Sequence, residues 1–148
     1  MIAIGCDHGG FDLKEIIKER LIESGYEVVD KGIESLRQVD YPDIAIDVCR
    51  SIVSKECDCG ILICGTGIGM SIAANKVDGI RAALCSDTYS ARMAKEHNNA
   101  NVIALGARRL GVELAYEIVK AYLSAEFLGG RHEVRVNFTR TSCLSPRN

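Results

Sequence analysis

The chain has 148 residues, 47% of them hydrophobic, and a formal net charge of -2. That is one ordinary domain, apolar enough to build a core without disulfide or metal staples. The near-neutral balance excludes a global basic field for nucleic acid or anionic membrane, so any anion site must be local.

Seven cysteines are an odd number, which a complete disulfide framework would not leave. The opening MIAIGCDHGG has no basic stretch before an apolar run and no cleavage-site pattern. No run of about 18 apolar residues could span a bilayer. The expectation is a cytoplasmic protein with reduced thiols and no nucleic-acid or membrane partner.

In chain order, Ile2–Cys6 reads as a first strand, broken by Asp-His-Gly-Gly. Leu13, Ile17 and Leu21 recur every four residues and form one apolar helical face, ended by Gly25. Tyr26–Val29 is the second strand candidate, and residues 30–42 are polar and turn-rich. A helix is predicted to start near Asp43, burying Ala45, Val48 and Ile52. Gly60–Cys64 is the third strand, followed by a glycine loop and a short helix over Met70–Asn75. Ile80–Cys85 and Val102–Leu105 read as strands four and five, with a helix over Tyr89–His97 between them. Val112–Leu123 is the next helix. From Glu126 onward, Gly129-Gly130, scattered arginines and Pro146 read as a tail.

Apolar runs alternating with helices predict an α/β fold: one three-layer α/β/α domain, Rossmann-like, with a five-stranded parallel sheet. Ligands bind outside the carboxyl ends of such strands. Titratable and polar residues gather around the predicted strand termini: Cys6, Asp7 and His8; Cys64 and the loop Gly65-Thr66-Gly67-Ile68-Gly69; Cys85, Ser86 and Asp87; and His97, Asn98 and Asn99.

The glycine loop reads in two ways. It is a tight strand-to-helix turn, or its N–H groups and the following helix N-terminus receive an anion. No Gly-Lys-Ser/Thr follows, so it is no Walker loop. GTGIGM lacks the last glycine of the dinucleotide fingerprint, although Asp87 follows at roughly the distance of a ribose-binding acid. Cys64 is either a thiol activated by those N–H groups or a small buried hydrophobe. A phosphatase loop would need arginine six positions on, where Met70 stands. Cys57 and Cys59 have no second pair at zinc spacing, so no metal is expected. Cys6, Cys49 and Cys85 fit core positions; Cys143 has no assigned role. Asp7-His8 competes with a helix-capping reading, and His97 with a favourable helix C-terminal charge. Arg131, Arg135 and Arg140, with His132 between them, are a solvated surface or a phosphate-binding group.

Several blocks stand in order: GCDHGGFDLK, DYPDIA, ILICGTGIGMSIAANK, GIRAALC, EHNNANVIALGAR and GGRHEVRV. Together they resemble the B-type ribose-5-phosphate isomerase family, which includes galactose-6-phosphate isomerase subunits. The resemblance implies a single sugar-phosphate isomerase domain over residues 1–148, with residues 126–148 contacting a partner. It implies a homodimer with composite active sites, the pairing of dimers being left open. It also implies interconversion of D-ribose 5-phosphate and D-ribulose 5-phosphate, a pentose phosphate pathway step, without metal or cofactor. By the same resemblance Cys64 is the base, His97 opens the ring aided by Asp7, and Gly65, Thr66, Gly67, Ile68 and Gly69 stabilise the enediolate. Asn98 holds substrate, and Arg131, Arg135 and His8 bind phosphate, with Arg108 a further candidate and Tyr41 lining the pocket. Some members use a glutamate after the loop; here that position is Met70, which points to a cysteine branch. The alternatives are a six-carbon sugar phosphate such as allose 6-phosphate or galactose 6-phosphate, a nucleotide-binding module, and a subunit that needs a different partner.

Overall fold

Five apolar runs become the strands of one parallel sheet in the computed structural model, which describes residues 1–33 and 40–139. They are β1 (Ile2–Cys6), β2 (Val28–Asp30), β3 (Cys59–Cys64), β4 (Ala82–Leu84) and β5 (Val102–Gly106), in the order β2-β1-β3-β5-β4. Helices α1 (Phe11–Glu23), α2 (Tyr41–Val53), α3 (Ile68–Ala74) and α4 (Thr88–Glu96) connect them, and α5 (Val112–Leu123) and α6 (Arg131–Thr139) follow β5.

Alternation along each strand divides the core in two. Ile2, Ile4, Ile61, Ile63, Ile103 and Leu105 face Leu13, Ile17 and Leu21 of α1, Ala91 of α4, and Ile118 and Val119 of α5. Ala3, Leu62, Val102 and Ala104 face Val48 and Ile52 of α2 and Met70 and Ala74 of α3. Both sheet faces are therefore covered, the condition under which parallel strands read as continuous apolar runs. Cys6, Cys49, Cys59 and Cys85 belong to these cores, and burial pushes each thiol up to about 11. Cys57 is buried as well.

Several boundaries differ from the sequence expectations for identifiable reasons. β2 starts at Val28 because Tyr26 belongs to the end of α1: its N–H bonds the Leu21 carbonyl while Gly25 N–H bonds that of Ile22. Gly25, at φ 86°, completes this left-handed cap. α2 starts at Tyr41, two residues early, because Pro42 sits in the first turn, where no amide donor is needed. β4 is shorter than expected, as befits an edge strand paired only with β5. The main correction concerns the stretch read as a tail: residues 131–139 form α6, seated by Val136 at 4% exposure. Its signal was weak because it buries one side chain. Arg140, Cys143 and Pro146 lie outside the described residues.

Under α1, Lys14 is 1% exposed and donates to Asp30 Oδ2 (2.7 Å) at the end of β2; Lys18 reaches the same oxygen at 2.8 Å. Lys14 also pairs with Glu15. Burial opposes ionisation of Asp30, but the two lysine hydrogen bonds and that from Gly32 hold its carboxyl below the ordinary range.

Candidate active site

In the order β2-β1-β3-β5-β4 the direction of winding reverses between β1 and β3, and the crevice at their carboxyl ends is where such sheets bind ligands. A cavity of about 250 Å³ lies there, lined by Asp7, His8, Gly9, Tyr41, Cys64, Gly65, Thr66, Gly69 and Arg108. Asp7 and His8 arrive from the end of β1, Cys64 from the end of β3, Arg108 from just beyond β5, and Tyr41 from the first turn of α2.

The local geometry is built by backbone bonds. Asp7 Oδ1 accepts the Gly9 N–H (2.9 Å), which caps the short 3₁₀ turn His8–Gly10 and fixes the carboxylate at the cavity wall. The capping and site readings of Asp7 are thus compatible. Beyond β3, Ala107 N–H bonds the Cys64 carbonyl (2.8 Å) and Arg108 N–H the Gly65 carbonyl (3.0 Å), lashing the loop to the end of β5. The Arg108 guanidinium lies against Gly65, where a Cβ would meet its Nε at 3.2 Å.

Gly67 turns the chain back at φ 77°, and its N–H donates to Cys64 Sγ at 3.0 Å. A Cβ there would stand 2.9 Å from the Leu105 carbonyl carbon, so both the backbone angle and the space demand glycine. Cys64 is 5% exposed, yet it borders the cavity and its sulfur faces the Gly67 donor. Ile68 N–H reaches Thr66 Oγ1 (3.3 Å), so Ile68 shapes the loop while its side chain is largely exposed. Gly69 packs against the ring of Tyr41. Met70 is fully buried and supplies no base.

The remaining expected residues lie elsewhere. His97 and Asn98 follow α4 and precede β5, at the amino end of the sheet. They line a second groove, about 660 Å³, with Arg81, His132 and Arg135, along the open edge of β4. Arg131 is in the first turn of α6 beside it. Gly106 pairs with Cys64 in the register of β3 and β5, while His97 lies before Val102. The length of β5, roughly 13 Å at about 3.3 Å per residue, therefore separates the two groups in one chain. Arg81 Nε donates to the carbonyls of Asn98 (3.2 Å) and Asn99 (2.9 Å) and holds this turn, in which Asn99 adopts φ 47°. The sequence reading gave no site role to Gly9, Arg81 or His132; His132 sits inside the GGRHEVRV block, but its neighbour is a tertiary one. Asp87, weighed above as a ribose acid, caps α4 through Ser90 N–H (2.6 Å) and Oγ (2.7 Å).

Among the described residues no helix is long and apolar enough to cross a membrane. Residues 2–138 match the model of the family described as Ribose/Galactose Isomerase. The chain is 54% identical to ribose-5-phosphate isomerase B of Escherichia coli, over 91% of either chain. It is 52% identical to D-erythrulose-4-phosphate isomerase of Pectobacterium atrosepticum, over 87% of this chain and 86% of that one. Its fold superposes on that of ribose-5-phosphate isomerase B from Clostridium thermocellum with a TM-score of 0.93 at 55% identity, covering 94% of each.

Proposed function

The chain belongs to the ribose/galactose isomerase family, and from that premise we propose that it interconverts D-ribose 5-phosphate and D-ribulose 5-phosphate, a pentose phosphate pathway step, by proton transfer through an enediolate. The observation that carries the reading is Cys64 at the carboxyl end of β3 with the Gly67 N–H 3.0 Å from its sulfur. Isomerisation of an aldose removes the C2 proton, gathers charge on the carbonyl oxygen and returns a proton to C1. It needs a base that reaches both carbons and fixed donors facing that oxygen.

In this mechanism the furanose first opens: the anomeric hydroxyl gives up its proton, the C1–O4 bond breaks and O4 is protonated, with His97 as acid and base and Asp7 assisting. The Cys64 thiolate then takes the C2 proton. The loop Gly65–Gly69, with Thr66, holds the enediolate oxygen. A proton passes from O2 to O1, and the thiol protonates C1 to give the ketose. His8, Arg108, Arg131 and Arg135 hold the phosphate, which does not react but keeps the sugar in register. Asn98 and Tyr41 complete the pocket.

The placing of the thiol and His97 at opposite ends of β5, a strand roughly 13 Å long at about 3.3 Å per residue, supports a homodimer in which each site takes its thiol from one protomer and its histidine groove from the other. The exposed apolar side chains of Ile68, Ile72, Leu84, Tyr89, Val134 and Phe138 on α3, β4, α4 and α6 suit such burial. The six described cysteines, all free thiols, suit a reducing cytoplasm.

The test is ketose formation from D-ribose 5-phosphate by the purified protein in the presence of a chelator, beside Cys64→Ala. Wild-type turnover is expected, with loss of activity but retained substrate binding in the variant. Normal turnover by Cys64→Ala would refute the assignment of the base. The relative named for D-erythrulose 4-phosphate favours a second reading, a sugar phosphate of another chain length. A higher kcat/KM for the four-carbon or six-carbon phosphate in the same assay would select it.

A further inference from the structure

The two histidines of the β4-edge groove meet face to face. The rings of His97 and His132 are 4.2 Å apart between centroids, with planes 9° from parallel. His97 is the capping residue at the end of α4, where helices fray and side chains gain freedom. His132 comes from α6, outside the α/β framework, and its arrival is built. Leu128 N–H donates to the Glu96 carbonyl (3.0 Å), tying the approach to the residue before His97. Gly129 and Gly130 then take φ 63° and 55°, with no atom within 4 Å of where a Cβ would stand. Their glycines thus serve conformation rather than space. The turn closes with His132 N–H on the Gly129 carbonyl and Glu133 N–H on that of Gly130, both 3.1 Å, and Val136 seats the helix.

We infer that His132 is a positioning residue: its ring holds the His97 imidazole in one plane, so that the nitrogen moving the ring-opening proton stays aimed at the sugar. This rests on the reading that His97 opens the furanose. Proton transfer tolerates little misalignment between donor and acceptor, and a flat aromatic neighbour restricts the one torsion that would swing the nitrogen away. The surroundings favour a neutral stacking partner. Burial, then His97 itself, Arg131 and Arg135 hold His132 below its ordinary range. Arg81 adds a further guanidinium to the groove lining, and no carboxylate is among the described lining residues. On α4, Glu96 is paired with Arg92, and Lys95 lies over the Tyr122 ring.

The experiment separates ring opening from carbon chemistry. D-ribulose 5-phosphate cannot close to a furanose, because its O5 is esterified. Exchange of its C1 hydrogen with solvent deuterium therefore reads the Cys64 step alone, whereas turnover of D-ribose 5-phosphate requires ring opening first. His132→Ala is expected to lower kcat on D-ribose 5-phosphate roughly tenfold with little change in KM, and to leave the exchange near wild type. His132→Phe, which stacks without titrating, is expected to restore most of the loss. Equal losses in both reactions, wild-type kcat for His132→Ala, or a phenylalanine variant no better than alanine would each overturn the inference. The premise fails separately: His97→Asn must be selectively slow on D-ribose 5-phosphate, and if it is not, His97 is not the ring-opening group.

Discussion

Gly67→Ala concentrates fold and chemistry in one methyl group. The residue sits at φ 77°, where an L side chain costs about 1–2 kcal/mol. The new Cβ would stand 2.6 Å from Leu84 Cδ1, which can rotate aside, but also 2.9 Å from the carbonyl carbon of Leu105 and 3.1 Å from its oxygen. Those atoms belong to β5, hydrogen-bonded on both sides by β3 and β4, and cannot give way. Overpacking of that kind adds about 1–3 kcal/mol, for a total near 2–5 kcal/mol. At roughly 2 kcal/mol per molar urea, the unfolding midpoint should fall by about 1–2.5 M, read at fixed protein concentration because the proposed dimer would make the midpoint concentration-dependent. If the loop instead shifts to make room, the N–H leaves Cys64 Sγ, and kcat should fall about 10²–10³-fold, as for loss of one oxyanion donor. The comparison is Gly111→Ser. Gly111 caps α5 at φ -70° with open space around it, so serine there should be neutral or slightly stabilising. Unchanged midpoint and kcat in Gly67→Ala would refute both the steric argument and the role of the loop.

Two further outcomes test the scaffold. Tyr122, 1% exposed, donates its hydroxyl to the Ala100 carbonyl at 2.9 Å just before β5. Tyr122→Phe should cost about 1–3 kcal/mol in denaturant titrations, because a buried acceptor loses its donor; a wild-type midpoint would refute it. Asp30 has a depressed folded-state pKa, so its contribution to stability is complete above the ordinary aspartate range, near 3.9, and is lost as pH falls through the lower folded value. Urea midpoints should therefore drop on acidification through that window, and Asp30→Asn should flatten the drop; equal slopes would exclude the Lys14–Asp30–Lys18 cluster as its source.

Much of the scaffold was legible because the patterns were strong. β1 and α5 fall on the residues the sequence marked, since IAIGC is an uninterrupted apolar run and Ala115, Val119 and Tyr122 keep one helical face. The cavity around Cys64 was legible in part, because Asp7, His8, Cys64 and the glycine loop stand at the carboxyl ends of strands, where the sheet rule directs attention, whereas Tyr41 comes from the first turn of α2. α6 was not, since one buried valine leaves almost no periodic signal and its position depends on two left-handed glycines. Nor was the division of the expected site residues between two cavities. His97, Asn98 and Cys64 all border strands, but helix-to-strand and strand-to-helix junctions lie at opposite ends of a parallel sheet.

That division yields a decisive experiment. If each site combines Cys64 of one protomer with His97 of the other, a mixed dimer of Cys64→Ala and His97→Asn chains concentrates both defects in one site. The other site then holds an intact thiol and an intact histidine. Random pairing of equal amounts makes half the dimers mixed, each with one good site of two, so activity on D-ribose 5-phosphate should return to about a quarter of wild type in a two-fold symmetric assembly. Co-expression or joint refolding supplies the mixing, and each variant refolded alone sets the background. Sites contained within single chains would carry one defect each in every combination. Recovery no greater than the average of the two parents would therefore place Cys64 and His97 of one chain in the same site, against the separation that β5 imposes.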